Sequence, residues 1–206
     1  MISHWTSKGT ALETDSSLLQ RVIVRFAAGA FVVELLLAEL SLRIFRGRDL
    51  SNVLLNGHNL GPSIVAGLVL AVVVAALSRL LFATYARDLT RELFVPIFRG
   101  MSISGIAAVS ILPGIGEELL FRAVLQTAIG ILPASIVFGL LHSGFSRRLL
   151  LYGLWAVVVG ILLGATYQWT GNLWGSIVAH SIINAAGGLW LRHGGAPEGP
   201  TDTGEG

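Results

Sequence analysis

The chain contains no cysteine, which excludes disulfides, a thiolate nucleophile and any cysteine metal site. Charge is scarce as well: Asp, Glu, Lys and Arg make up 13% of 206 residues, where a soluble domain carries about 25%. Thirteen of the 14 basic residues are arginine, but they are scattered and form no stripe, and the formal net charge is only +2. Nucleic acid is therefore not an expected partner. No strand-like alternation of the kind a membrane barrel needs is present, and no internal repeat is visible. What fills the sequence is apolar: 53% hydrophobic residues and a mean hydropathy of +0.74.

The apolar residues come in long runs. A bilayer-spanning helix needs about 20 of them, and several runs approach or exceed that length. The expected fold is all-α, a polytopic transmembrane bundle of about 6–8 helices, short or broken ones included. Residues 1–16 read as a polar leader, 17–192 as a single transmembrane domain, and 193–206 as a disordered Gly/Pro-rich acidic tail. The first helix is expected from Leu18 to Phe45 and a clean span over 63–86. An interfacial amphipathic segment should follow over 87–99. "MSISGIAAVSIL" should end at Pro113-Gly114, with a new helix from Ile115 to Ile129. Pro133 starts a short apolar helix, 149–169 is a long span, and the last helix begins after "TGN". Gly153, Gly160 and Gly164 suggest close helix packing, and Tyr167, Trp169, Trp174 and Trp190 read as interfacial anchors. The arginines at the leader end, in the first loop and over 87–99 are nearly equal in number, so the sequence gives no orientation.

Three polar groups interrupt the apolar second half. Glu117 and Glu118 stand beside Arg122; Phe138 precedes His142 by four; His180 precedes Asn184 by four. On a helix, residues at i and i+4 share a face. Glu118 and Arg122 can therefore pair, and His180 and Asn184 can point into one cavity. Phe138 can pack beside His142, while Glu117 lies about 100° around from Glu118. An ionisable group at mid-bilayer costs about 2.5–3.5 kcal/mol on insertion scales, so these side chains should face inward. If Arg122 holds one glutamate ionised, the other is left as a general base, and a nearby histidine can relay its proton. The bland reading is a structural ion pair between packed helices, with the histidines and Asn184 tying helices together by hydrogen bonds worth about 0.6 kcal/mol each. Glu39 and Arg43 read as a structural pair. Glu34 has no local partner and is left unassigned between cavity and subunit contact. His4, His58 and His193 read as surface residues.

Glu-Glu-x-x-x-Arg, Phe-x-x-x-His and His-x-x-x-Asn, in this order and each inside an apolar segment, resemble the CPBP family. That family includes the Ras-converting-enzyme type of CAAX prenyl endopeptidases and bacterial relatives. The wording "EELLFRAVLQ" is similar to the family's first motif, with Ala123 where Gly is expected, and the motifs cover 117–184. The resemblance implies an intramembrane protease without a cofactor. In it, Glu117 assisted by His142 activates water, His180 and Asn184 stabilise the oxyanion, and Glu118, Arg122 and Phe138 support the site. Its partners would be the bilayer and a membrane-anchored protein or peptide substrate, cut near a C-terminal segment. Its place would be a bacterial inner membrane. A zinc site with two imidazoles and one carboxylate is disfavoured, because no His-Glu-x-x-His occurs and Arg122 opposes a cation. Two further readings compete: a non-catalytic immunity or scaffold protein of the same fold, and a small proton-coupled transporter, which the lack of paired broken helices argues against.

Overall fold

The computed structural model describes residues 6–55, 57–144 and 146–195, with side chains from residue 18 onward. The remaining tail, 196–206, and the start of the leader with His4 lie outside the described residues. Among these residues the protein is all-α. The helices are α1 (Thr6–Arg46), α2 (Leu50–Leu55), α3 (Leu60–Thr84), α4 (Arg87–Leu89), α5 (Val95–Phe98), α6 (Ile103–Glu118), α7 (Thr127–Ile129), α8 (Ile131–Ser143), α9 (Leu150–Thr170) and α10 (Trp174–Arg192). Widened π turns occupy Thr90–Phe94 and Leu119–Gln126, and a 3₁₀ turn occupies Arg147–Leu149.

Three segments, Leu60–Thr84, Ile103–Ile129 and Arg147–Thr170, are long and apolar enough to cross a membrane, and Ile131–Ser143 is a shorter apolar helix. This is a membrane protein. Among the described residues three helices, against the six to eight expected, meet that length and composition; α1 carries Arg25, Glu34, Glu39 and Arg43 within its apolar run, and α10 carries His180 and Asn184. α1 begins at Thr6 and not at Leu18, since extending a formed helix adds a hydrogen bond for each residue fixed.

Pro113 does not end a helix as expected. α6 passes through it and continues as the π turn into α7, one helical path over 103–129. In a bundle, neighbouring helices and local π adjustment compensate the hydrogen bond that an internal proline removes. Gly114, next to it, lies against the backbone of Ser181, so α6 and α10 cross closely at this point. α6 starts cleanly because the Ser102 hydroxyl accepts from the Gly105 N–H at 3.0 Å, an N-cap. The break after α7 comes at Gly130, whose φ of +92° is a conformation L side chains rarely adopt.

Small residues set the helix contacts, as expected where lipid tails compete equally for large apolar groups. On α3, Ser63, Gly67 and Ala71 are buried four residues apart. Gly67 faces the Gly175 carbonyl, and Gly175 faces Ser63, whose Oγ receives the Gly175 N–H at 2.9 Å. Gly153 abuts the Gly139 carbonyl, and Gly160 abuts Ser135, as their expected packing role requires. Of the anchoring aromatics, Trp169 is 75% exposed. Trp174 instead bonds the Leu54 carbonyl at 2.9 Å, and Trp190 lines a cavity in the bundle.

The bundle has two ends. At one, Gln20 of α1 donates to the Arg99 carbonyl at 3.0 Å, Arg148 pairs with Glu92, and Gly195 lies against Val95 and Thr90. The Gln20 region of α1 and the starts of α6 and α9 thus lie at the same end as the ends of α3, α8 and α10. At the other, Asn59 donates to the Thr170 carbonyl at 3.2 Å, α2 meets the start of α10, and Glu39 pairs with Arg43, the pairing expected. Between them, Ala38, Leu119, Ala123, Leu173 and Ile177 form a buried apolar cluster nearer the second end.

Candidate active site

Two consecutive glutamates at the end of α6 part company. Glu118 is fully buried, with Arg122 Nε at 3.1 Å from its Oε2 and His180 Nδ1 at 2.9 Å from its Oε1. Glu117, rotated to the next face, lines a cavity of about 630 Å³. The widened turn Leu119–Gln126 begins immediately afterwards, and π segments are often found at functional sites. Here it carries Arg122 inward, where it is 0% exposed.

The histidines come from α8 and α10. His142 Nδ1 is 2.8 Å from the Phe138 carbonyl; a carbonyl only accepts, so Nδ1 carries the hydrogen and Nε2 of the neutral ring is left as a lone pair. His180 Nδ1 likewise faces a carboxylate oxygen of Glu118 and donates to it. With both Nδ1 atoms anchored, both Nε2 atoms turn towards Glu117: its Oε2 lies 3.9 Å from His142 Nε2 and 3.7 Å from His180 Nε2. These separations exceed a hydrogen bond, and Glu117 Oε2 is buried with no protein partner. Asn184, one turn beyond His180, is on the same cavity wall.

Phe138 holds the group together. Its ring lies 4.2 Å from that of His142, 5.0 Å from Phe121 and 5.9 Å from His180, and the Arg122 guanidinium sits 5.5 Å from its centroid. One aromatic face therefore stacks an imidazole and meets a buried cation. The structure thus brings all seven sequence-predicted residues together. Glu117, Phe138, His142, His180 and Asn184 line the cavity; Glu118 and Arg122 stand behind it.

Two neighbours escaped sequence reasoning. The Tyr152 ring is 5.7 Å from His142, and Tyr152 lines the cavity; nothing in the apolar run around it sets it apart. Glu34, left unassigned, reaches from α1 onto Gly116, where its buried Oε2 is unpartnered and within electrostatic reach of Glu117 and His180. Its isolation in an apolar run was the signal; its destination was not readable. The cavity wall away from the site is largely apolar, with Phe82, Phe94, Phe98 and Trp155 among its residues. Among the described residues no group of three or more His, Asp or Glu is arranged to hold a metal ion.

The family model described as type II CAAX prenyl endopeptidase Rce1-like matches residues 99–186. The chain is 41% identical over 96 residues to "Uncharacterized protein YpbD" of Bacillus subtilis (strain 168), covering 47% of this chain and 50% of that protein. It is 30% identical over 83 residues to "UPF0177 protein YxdF" of Lactococcus lactis subsp. lactis (strain IL1403), covering 38% of this chain and 45% of that protein. The chain spans about half the length of the curated relatives it matches. No solved structure matches it. The match to the type II CAAX prenyl endopeptidase Rce1-like family model spans residues 99–186, the part of the chain that holds all seven site residues.

Proposed function

We propose that this protein is an intramembrane endopeptidase in which Glu117 and His142 activate water against a peptide bond near a membrane-associated, C-terminal segment of a protein or peptide substrate. The observation that carries this reading is the placing of Glu117 Oε2 at 3.9 and 3.7 Å from two imidazole nitrogens, at the inner end of an apolar cavity. Gaps of that size between polar atoms suit a bridging water. The Rce1-like match supports a protease of the CAAX type at the level of the family.

The division of labour follows from the hydrogen bonds. His142 is held with Nε2 as acceptor, so it and Glu117 can take the proton as the water oxygen attacks the carbonyl carbon. The negative charge that develops on the carbonyl oxygen is met by the Asn184 amide N–H and by Nε2–H of a doubly protonated His180, whose Nδ1–H remains on Glu118. Donors fixed in advance in a water-poor site are worth several kcal/mol at this step. Collapse of the tetrahedral intermediate breaks the C–N bond, and the leaving amine takes back the proton from the Glu117–His142 pair. Glu118 and Arg122 orient His180 and touch no reacting atom. The side chains present supply every proton transfer, so the mechanism draws on no cofactor. The apolar cavity wall fits a substrate presented from the bilayer, and the setting we assign is a bacterial inner membrane.

The test is to compare terminal peptides of membrane proteins from cells making the wild type or Glu117→Ala at matched levels. A new terminus seen only with the wild type is the expected result and names the substrate. Identical profiles, under conditions where the protein is required, would favour a non-catalytic immunity or scaffold role.

A further inference from the structure

We infer that Tyr152 is a further catalytic residue of this cavity: its hydroxyl hands the proton collected by Glu117 and His142 to the nitrogen of the departing amine. The inference rests on the proposed hydrolysis and adds a residue outside the three polar motifs.

Tyr152 reaches the site because α9 turns one face to the cavity. Tyr152, Trp155, Ala156 and Val159 all line it, at the i, i+3, i+4, i+7 spacing of a single helical stripe. The adjacent glycine sets where that stripe begins. A Cβ on Gly153 would meet Ser143 and the Gly139 carbonyl of α8, so α9 is pressed onto α8 here and Tyr152 stands beside His142. The two rings lie 5.7 Å apart, and Phe94 and Phe82 pack on the phenol ring at 5.2 and 6.0 Å.

Three aromatic neighbours thus fix the ring, while nothing holds its hydroxyl. Among the described residues the phenolic oxygen has no hydrogen-bond partner, and it is not sealed from the cavity by protein. It lies within electrostatic reach of Glu117. A tyrosine hydroxyl among apolar groups ordinarily finds a partner. Phenylalanine serves the same wall at positions 82, 94 and 98, so the hydroxyl is what sets position 152 apart, and a bound substrate would complete it.

The side of the cavity identifies the substrate atom. Asn184 and His180, the oxyanion donors, come from α10. Tyr152 touches His142 instead, the proton carrier. As the water oxygen bonds the carbonyl carbon and the C–N bond breaks, the nitrogen leaves only if it gains a proton, because an amide anion is too basic to depart. The Tyr152 proton passes to that nitrogen, and Nε2–H of the protonated His142 restores it on the phenol oxygen. The proton taken from water ends on the amine, and Tyr152 is unchanged.

The test compares wild type with Tyr152→Phe, each as the full chain reconstituted in vesicles, on two probes. One is the peptide spanning the cut found by comparing termini. The other is its depsipeptide, with oxygen in place of the scissile nitrogen, whose alkoxide leaves with far less help from a proton donor. Tyr152→Phe should lose roughly 10²-fold in kcat on the peptide, the lower end for a positioned acid, with KM unchanged, the mark of an interaction made only in the transition state. It should cut the depsipeptide at the wild-type rate, which also shows that the variant is folded. Equal slowing on both probes, or no slowing on the peptide, would overturn the role of Tyr152. A wild type that cuts neither probe would sink the hydrolysis itself, and the part of Tyr152 with it.

Discussion

Removing Arg122 leaves Glu118 a buried acid with one partner where it had two. Both side chains are 0% exposed, the Nε–Oε2 distance is 3.1 Å, and the guanidinium lies over Phe138. Breaking a buried pair by deleting one member costs about 3–5 kcal/mol, because the survivor stays in a poor dielectric; an unpaired charge in mid-span costs about 2.5–3.5 kcal/mol by insertion. His180, still bonded to Glu118 at 2.9 Å, softens the loss. We therefore expect Arg122→Met to destabilise the protein by about 3 kcal/mol, near the lower limit of the buried-pair range. Met keeps the length of the stem, so packing against Phe138 changes least. Adding Glu118→Gln removes the stranded charge and leaves an amide oxygen to accept from His180. The double variant should recover at least half of the loss, a coupling of roughly 1.5 kcal/mol or more, within the range measured for residues in one network. Reversible unfolding in mixed micelles, followed by helical signal for parent, both single variants and the double, measures all four corners of the cycle. Additive single effects, or a single-variant loss below about 1 kcal/mol, the size of an exposed pair, would refute the picture of a buried charge held by Arg122.

The α3–α10 crossing makes a second prediction. A Cβ on Gly67 or Gly175 meets backbone atoms of the facing helix and cannot be relieved by a side-chain rotation, so Gly67→Ala and Gly175→Ala should each cost about 1–3 kcal/mol by overpacking. Gly29, in the middle of α1 with open space around it, is the control: Gly29→Ala should gain about 0.5–1 kcal/mol in the same unfolding assay. For Glu34, the isosteric Glu34→Gln removes a titratable group coupled electrostatically to Glu117 and His180 while keeping its shape against Gly116. It should alter the pH profile of cleavage without moving the unfolding midpoint; an unchanged profile would separate Glu34 from the site.

The site was legible because its chemistry is written at i and i+4 in segments that otherwise carry no charge. Glu118–Arg122, Phe138–His142 and His180–Asn184 each occupy one helix face, and a bilayer gives such groups nowhere to go but inward. The helical class was legible for the same reason, from run length. Less visible were the features that depend on which helices meet. Pro113 reads as a break along the chain, but α6 runs through it where Gly114 lets α10 approach. Tyr152 and Glu34 become neighbours of the site only through the packing of α9 and α1. His142 is anchored on the Phe138 carbonyl four residues before it and His180 on Glu118 of another helix, and each contact fixes which ring nitrogen is free.

The central claim is that Glu117 drives hydrolysis by activating water. The most direct measurement is cleavage of the substrate named by the terminal-peptide comparison, using purified wild type and Glu117→Gln reconstituted in vesicles with a strong chelator present. The account predicts cleavage by the chelated wild type and a loss of roughly 10²–10⁴-fold in kcat for Glu117→Gln, the contribution of a positioned general base, with unchanged unfolding. Glu117→Gln cleaving at the wild-type rate, or a wild type silenced by the chelator and restored by metal, would contradict it.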